Sequence, residues 1–327
     1  MTLTPDKLGQ STRELLTELL TARSGALPGQ LGEMLRYALL PAGKMMRPAL
    51  TLEAAAVVGG DPALLSDVSL AVEYLHVATL VHDDIIDGDL TRRGRNAVHA
   101  RYGVANGIVA GDALLFRAFD TLTAYAGDVP GSVHLAAVRA VAGTGMALCE
   151  GQVEEALLVG DPLCSLDRYL HVVSKKTGAL FRCACEIGAL FGGADPRAVA
   201  ALGAFGDHLG RAFQMHDDLL PYAENPEQAG KSASTDVANG RPTLPVLIGR
   251  ELAGPAERAR IDEALSGRLL PREAHRMLAD VLEDLGALDA ARERTRAEAE
   301  TAKGYLADFA DTAVLRRFAD IAVDREW

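Results

Sequence analysis

Strand signals are almost missing from this chain. β-Branched residues occur, but among Ala and Leu at helical spacing, as in STRELLTELLTARSG, GDALLFRAFDTLTAYAG and ALDAARERTRAEAETAKGYLADFA. That excludes the sheet-built classes and predicts an all-α protein of about ten to thirteen helices with no sheet. Cysteine is scarce too. Cys149, Cys164, Cys183 and Cys185 lack zinc-finger spacing, and Cys183-x-Cys185 alone is a weak metal signal, so reduced thiols in a cytoplasmic protein are expected. No uninterrupted apolar span long enough to cross a bilayer is expected, and MTLTPDKLGQSTRELL lacks the layout of a signal peptide. No Ser- or Pro-rich linker divides the chain, which gives a single domain over 1–327. With 45 acidic against 33 basic residues the formal charge is −12, unsuited to holding nucleic acid along a surface.

Acid in unusual places is what the chain does have. In LVHDDIIDGDLTRRG, residues 80–94, three carboxylates interrupt an apolar helical run and two adjacent arginines follow. Asp83 and Asp87 are four apart, so a helix carries them on one face, about 6 Å apart along its axis. Such a pair suits a hard divalent cation, above all magnesium, which keeps waters and is shared with substrate phosphates. Asp84 points roughly 100° away, as a supporting group or a ligand through water. A solvated acidic face is the competing reading, and the apolar flanks YLHVATLV and II argue against it.

The pattern echoes later in the chain. GGDP at Gly59 precedes LVHDDIID, and GGADP at Gly192 precedes FQMHDDLLP, with Asp61 to Asp83 spanning the same interval as Asp195 to Asp217. Chance produces such intervals in a Gly- and Ala-rich chain; the match of both breaker and acidic pair favours two helices presenting Asp83 and Asp217 to one cavity. Basic residues stand where apolar helices do not need them: Lys44 and Arg47, Arg92 and Arg93, Lys176 beside Thr177, and Lys231 and Arg241 with Asp236 downstream of Asp217-Asp218. Any one reads as surface. Together they suggest diphosphate clamps, arginine giving forked donors and lysine a point charge.

With these motifs in order, the chain resembles the trans-isoprenyl diphosphate synthases of the polyprenyl synthetase family. The resemblance rests on DDIIDGDLTRRG together with GKMMRP, GDALLFRAF, EGQ, KTGALF, FQMHDD and GRPTLP, and covers nearly the whole chain. It implies an antiparallel helical bundle of the isoprenoid synthase type around a central cavity, a homodimer, and condensation of an allylic diphosphate with isopentenyl diphosphate head to tail. By that likeness Asp83, Asp87 and Asp217 hold magnesium, about three ions per site with manganese able to substitute, and Asp84 and Asp218 support them. Arg92, Lys176, Lys231 and Arg241 neutralise the allylic diphosphate. Lys44, Arg47, His76 and Arg93 hold isopentenyl diphosphate, and Thr177 and Gln214 line the reacting centre. Small residues at Ala78 and Thr79, one turn before Asp83, leave room for geranylgeranyl or longer products, with Phe116 as a competing plug; tight helix packing also explains Ala78.

The chain departs from the family where Pro221 replaces the last aspartate of the second motif, which should end or kink the helix. Met45 replaces a usual arginine and Arg241 a usual lysine. A terpene cyclase on the same scaffold, a metal-dependent phosphohydrolase using His82 and His216, and the regulatory subunit of a two-chain synthase are the alternatives. The intact first motif speaks against the last.

Overall fold

The computed structural model describes residues 5–159, 161, 164–222 and 241–324. It is all-α, as expected, with α1 Pro5–Gly25, α2 Gly29–Leu39, α3 Met46–Val57, α4 Ser66–Ile86, α5 Val98–Tyr102, α6 Val104–Thr123, α7 Gly131–Leu158 and α8 Leu166–Val173. After a π-helical turn, Ser174–Gly178, come α9 Ala179–Phe191 and α10 Pro196–Asp217, then a 3₁₀ turn at Leu220–Tyr222. The chain closes with α11 Leu244–Leu252, α12 Pro255–Ala264, α13 Pro271–Asp284, α14 Ala287–Gly304 and α15 Ala313–Val323. The helices outnumber the expectation because short ones such as α5 have too few residues to show a period. The expectation of no sheet is corrected by a small antiparallel ribbon, β1 Thr91–Arg92 with β2 Arg95–Asn96.

By packing, the chain divides into two compact units. The first takes Met1–Gly143, Cys183–Gly203 and Phe309–Leu315; the second takes Thr144–Arg182, Ala204–Asp308 and Arg316–Trp327. In the first unit, α4 is buried nearly all round, from Val68 to Asp84. A helix with so few polar residues must be enclosed to be stable. One side of it meets α6, whose buried face is Gly107, Ala110, Gly111, Leu114, Ala118 and Leu122, at three- and four-residue steps. Small residues also set the spacing of α9 from α3: a β-carbon on Gly188 would lie 2.0 Å from the Thr51 carbonyl oxygen, and one on Gly192 3.0 Å from the Ala55 Cα.

In the second unit Met215 and Leu219 beside the second acidic pair pack with Val172 and Val173, and with Leu244, Ile261, Leu278, Val281 and Ala291 of the later helices. Each fully buried aliphatic side chain contributes about 1.5–3 kcal/mol. This cluster therefore fixes the end of α10.

Two helical stretches, Pro62–Ile86 and Gly131–Leu158, are long and apolar enough to span a bilayer by length and composition, which corrects the expectation that none is. That expectation counted unbroken apolar residues; scattered Ser, Gly and single charges do not offset so many Ala, Val and Leu. In the most apolar eighteen-residue part of each, 67% of the first is buried, in the core helix, against 17% of the second.

Candidate active site

The first acidic motif lies at the C-terminal end of α4. Asp87 caps the helix, its N–H bonding the Asp83 carbonyl at 2.8 Å, so the one-turn spacing of the two carboxylates survives. Asp83 is half-buried and Asp87 exposed. Asp84 turns inward, 2% exposed, and one of its oxygens accepts from Arg92 Nε at 2.8 Å and also from Arg92 Nη2. Burial pushes the Asp84 carboxyl up while the guanidinium pulls it down.

Arg92 and Arg93 owe their placement to the ribbon. Arg92 pairs with Arg95, leaving Arg93 and Gly94 as a two-residue turn at φ 53° and 74°. Positive φ at both central positions is what a type I′ hairpin requires. Glycine meets that freely; Arg93 does so at a cost of about 1 kcal/mol. Tyr37 of α2 anchors the ribbon: its hydroxyl donates to the Asn96 carbonyl at 2.7 Å, and the Arg95 guanidinium lies 4.0 Å over its ring. Arg93 Nη1 donates to the Pro41 carbonyl at 2.8 Å, and a β-carbon on Gly43 would sit 2.8 Å from Arg93 Nη2, so bare backbone cradles this guanidinium.

Arg47, His76 and Arg93 share a neighbour that the motifs did not indicate. Glu73, 3% exposed on α4, is pushed up by burial and pulled down by Arg47 and Arg93. The His76 imidazole is held well below its ordinary value by burial and by Arg47, Arg93 and Arg92, so it is neutral at pH 7. Lys44 is exposed nearby in sequence, just ahead of α3.

The second motif ends α10. Asp217 is its half-buried last residue. Asp218 is buried and fully engaged: one oxygen accepts from Tyr169 Oη at 2.7 Å and from the Leu244 N–H at 2.9 Å, the other from Gln214 Nε2 at 3.1 Å. The Leu244 bond satisfies an otherwise orphan donor at the start of α11. Burial and Asp218 push the Tyr169 phenol well above its usual value, keeping it a donor. Asp84 and Asp218 are thus both occupied by protein donors. The helix stops at Asp217, ahead of Pro221, as the proline predicts. The Pro221 carbonyl accepts from His275 Nε2 at 3.1 Å, and Tyr222 stacks on that imidazole.

Lys176 and Thr177 stand in the π-helical turn, a form common at functional sites. Thr177 Oγ1 donates to Gln214 Oε1 at 3.1 Å, linking the turn to Asp218. Lys176 Nζ pairs with Glu155 of α7, while Lys175 pairs with Glu150 at 2.9 Å and Glu154 at 2.6 Å.

Other sites fall as follows. Lys231 and Asp236 lie outside the described residues, and Arg241 is half-buried ahead of α11. Ala78 is fully buried, and Thr79 bonds its hydroxyl back to the His76 carbonyl. Phe116 is 73% exposed on α6 and plugs nothing within its unit. Among the described residues no three His, Cys, Asp or Glu side chains form a ready metal cluster. The four cysteines are free. His82 faces α6, 3.3 Å from the Ile108 carbonyl and 3.5 Å from Asp112, which leaves the phosphohydrolase reading without its ligand on this helix.

An acidic pair ending a buried helix beside an arginine hairpin, on an all-α frame, is what the resemblance to prenyl synthases leads one to expect. Similarity to known proteins agrees, and the chain belongs to the Polyprenyl synthetase family, whose pattern matches residues 28–283. It is 43% identical over 205 residues to a geranylgeranyl diphosphate synthase of Mycobacterium tuberculosis (strain ATCC 25618 / H37Rv), a match spanning 63% of this chain and 58% of that one. It is 32% identical over 296 residues to the octaprenyl diphosphate synthase of Escherichia coli (strain K12), covering 89% and 88%. Among solved structures it is similar to a polyprenyl synthase from Caulobacter crescentus CB15 complexed with calcium and isoprenyl diphosphate, with TM-score 0.86, 30% identity and 99% and 98% covered.

Glu73, Asp207 and Tyr169 belong to none of the sequence motifs. Glu73 and Asp207 had one available signal: each is a lone acid in a stretch otherwise built of apolar and small residues, SLAVEYL and LGAFGDHLG.

Proposed function

We infer that this chain condenses an allylic diphosphate with isopentenyl diphosphate head to tail, giving a longer trans-polyprenyl diphosphate. The observation that carries this is the first motif: Asp83 and Asp87 one turn apart at the end of a buried helix, next to a hairpin that holds Arg92 on Asp84 and Arg93 in a backbone cradle. The residues fit magnesium. Asp83 and Asp87, one turn apart, match an ion that binds through one or two carboxylates of a helix and completes its shell with water and phosphate.

Asp83, Asp87 and Asp217 are the groups that would hold it. Bound there, magnesium supplies positive charge against the charge growing on the departing diphosphate. Arg92, Lys176, Lys231 and Arg241 share that task by offering positive charge to the leaving group. Lys176 must exchange Glu155 for the substrate. Lys44, Arg47, His76 and Arg93 hold isopentenyl diphosphate, with His76 acting as a neutral hydrogen-bonding group. Thr177 and Gln214 orient the reacting carbons. No protein nucleophile is needed: the homoallylic double bond attacks the allylic cation, and the released diphosphate takes the proton. The apolar surroundings keep water from the cation.

Product length is set by the space below Asp83. Alanine at position 78 supports geranylgeranyl or longer. The exposed apolar residues Val104, Ile108, Val109 and Phe116 on α6 support a second copy of the chain as partner. The deciding experiment is mass spectrometry of products made with magnesium from each allylic diphosphate plus isopentenyl diphosphate. Longer diphosphates support the inference. Hydrocarbon or alcohol formed without consuming isopentenyl diphosphate means a cyclase, and phosphate alone a hydrolase.

A further inference from the structure

We propose that Asp207 is a positioning residue that fixes the π-helical turn carrying Lys176 and Thr177, and through it the grip of Lys176 on the allylic diphosphate. Asp207 is 3% exposed on α10, among the apolar residues of the second unit. It meets both ends of the turn. Ser174, the first residue, donates its hydroxyl to Asp207 Oδ1 at 2.7 Å. Gly178, the last, lies so close that a β-carbon there would be 2.5 Å from the same oxygen.

The turn is closed by the Ala179 N–H on the Ser174 carbonyl, a five-residue step in place of the usual four. Such a turn is rare because its geometry is poorer than that of an ordinary helix, so neighbours must favour it. Asp207 provides that neighbour, and two arginines offset the burial of its charge: Arg182 Nη2 at 3.2 Å and Arg211 Nη2 at 3.0 Å. The same face of α10 continues the contact. A β-carbon on Gly210 would be 2.7 Å from the Gly178 Cα, and Gln214 accepts from Thr177. Ser174, Thr177 and Gly178 are therefore registered on one helix face, and the directions in which Lys176 and Thr177 leave the turn follow from where Asp207 holds its ends.

This rests on the assignment of Lys176 to the allylic diphosphate, and the test separates the two. Steady-state kinetics are measured with each substrate varied in turn for Asp207→Asn, Ser174→Ala, Lys176→Ala and the double variants with Lys176→Ala. Asp207→Asn is expected to lower kcat/KM for the allylic diphosphate about tenfold, since small misplacements of a positioned group carry large rate penalties. Ser174→Ala follows with a smaller loss, and KM for isopentenyl diphosphate stays unchanged. In the Lys176→Ala background neither change adds further loss. Fully additive losses, or equal damage to both substrates, would mean that Asp207 only stabilises the fold and would overturn the proposal. If Lys176→Ala keeps wild-type kinetics, the assignment of Lys176 fails and takes this inference with it. Should Asp207→Asn not fold, Ser174→Ala with and without Lys176→Ala decides the matter by the same criteria.

Discussion

The two acid-tipped helices, α4 and α10, share a plan and differ at their ends. Each follows a glycine-rich break, and the two breaks touch: a β-carbon on Gly60 would lie 2.6 Å from the Gly192 Cα. Each break has an aspartate bonding a nearby amide, Asp61 to Ala63 and Asp195 to Ala198. Each helix has a buried acid the same interval before its tip, Glu73 or Asp207, with two arginines close enough to act on it. At the tips the second aspartate turns inward, and there the plan diverges. Asp84 is balanced by a guanidinium 40% exposed on a surface hairpin; Asp218 is held by a phenol, an amide side chain and a backbone N–H. A charge partner reaching the surface can be traded for substrate. Three donors fixed by neighbouring helices cannot, so the first tip is adjustable and the second is locked.

The largest expected effect tests what the tips share. Asp83→Ala and Asp217→Ala should each lower kcat by about 10²–10³-fold without unfolding the chain, read by kinetics beside circular dichroism. Loss from one alone would break the equivalence. Next comes the locked-against-adjustable contrast. Asp218→Ala strands three donors and should cost about 3 kcal/mol in denaturant unfolding, against about 1–2 kcal/mol for Asp84→Ala, whose partner reaches water.

A smaller effect is the pH response of α4. An unfolded chain protonates His76 below pH about 6.5, while the folded chain keeps it neutral to much lower pH. Stability is therefore lost as pH falls below about 6.5, by about 1.4 kcal/mol per unit. Glu73, pushed up, works in the opposite sense in the acid range, so the difference between wild type and His76→Gln isolates the slope. Equal slopes would show that folding does not lower the proton affinity of His76. The smallest stability change lies off both tips: Phe116→Ser should alter unfolding by about 0.5 kcal/mol or less. In sedimentation it should shift a dimer toward monomer if α6 is the contact.

Helices and acidic motifs were legible because both leave local marks: apolar steps of three and four, and carboxylates where burial forbids them without a reason. Pro221 announced the end of α10 equally well. The ribbon was not legible, since two-residue strands carry no alternation, although Arg93-Gly94 supplied the turn. Glu73, Asp207 and Tyr169 were hidden for another reason. Their roles depend on partners distant in sequence, such as Ser174 for Asp207 and Asp218 for Tyr169, and no spacing rule connects such pairs.

The interleaved course of the chain has a consequence for its birth. The first unit needs Phe309–Leu315 and the second needs Arg316–Trp327. During synthesis neither unit can close before these segments emerge, long after α4 and α10 have been made. A nascent chain of this design is exposed to aggregation for longer than one whose units follow each other in series.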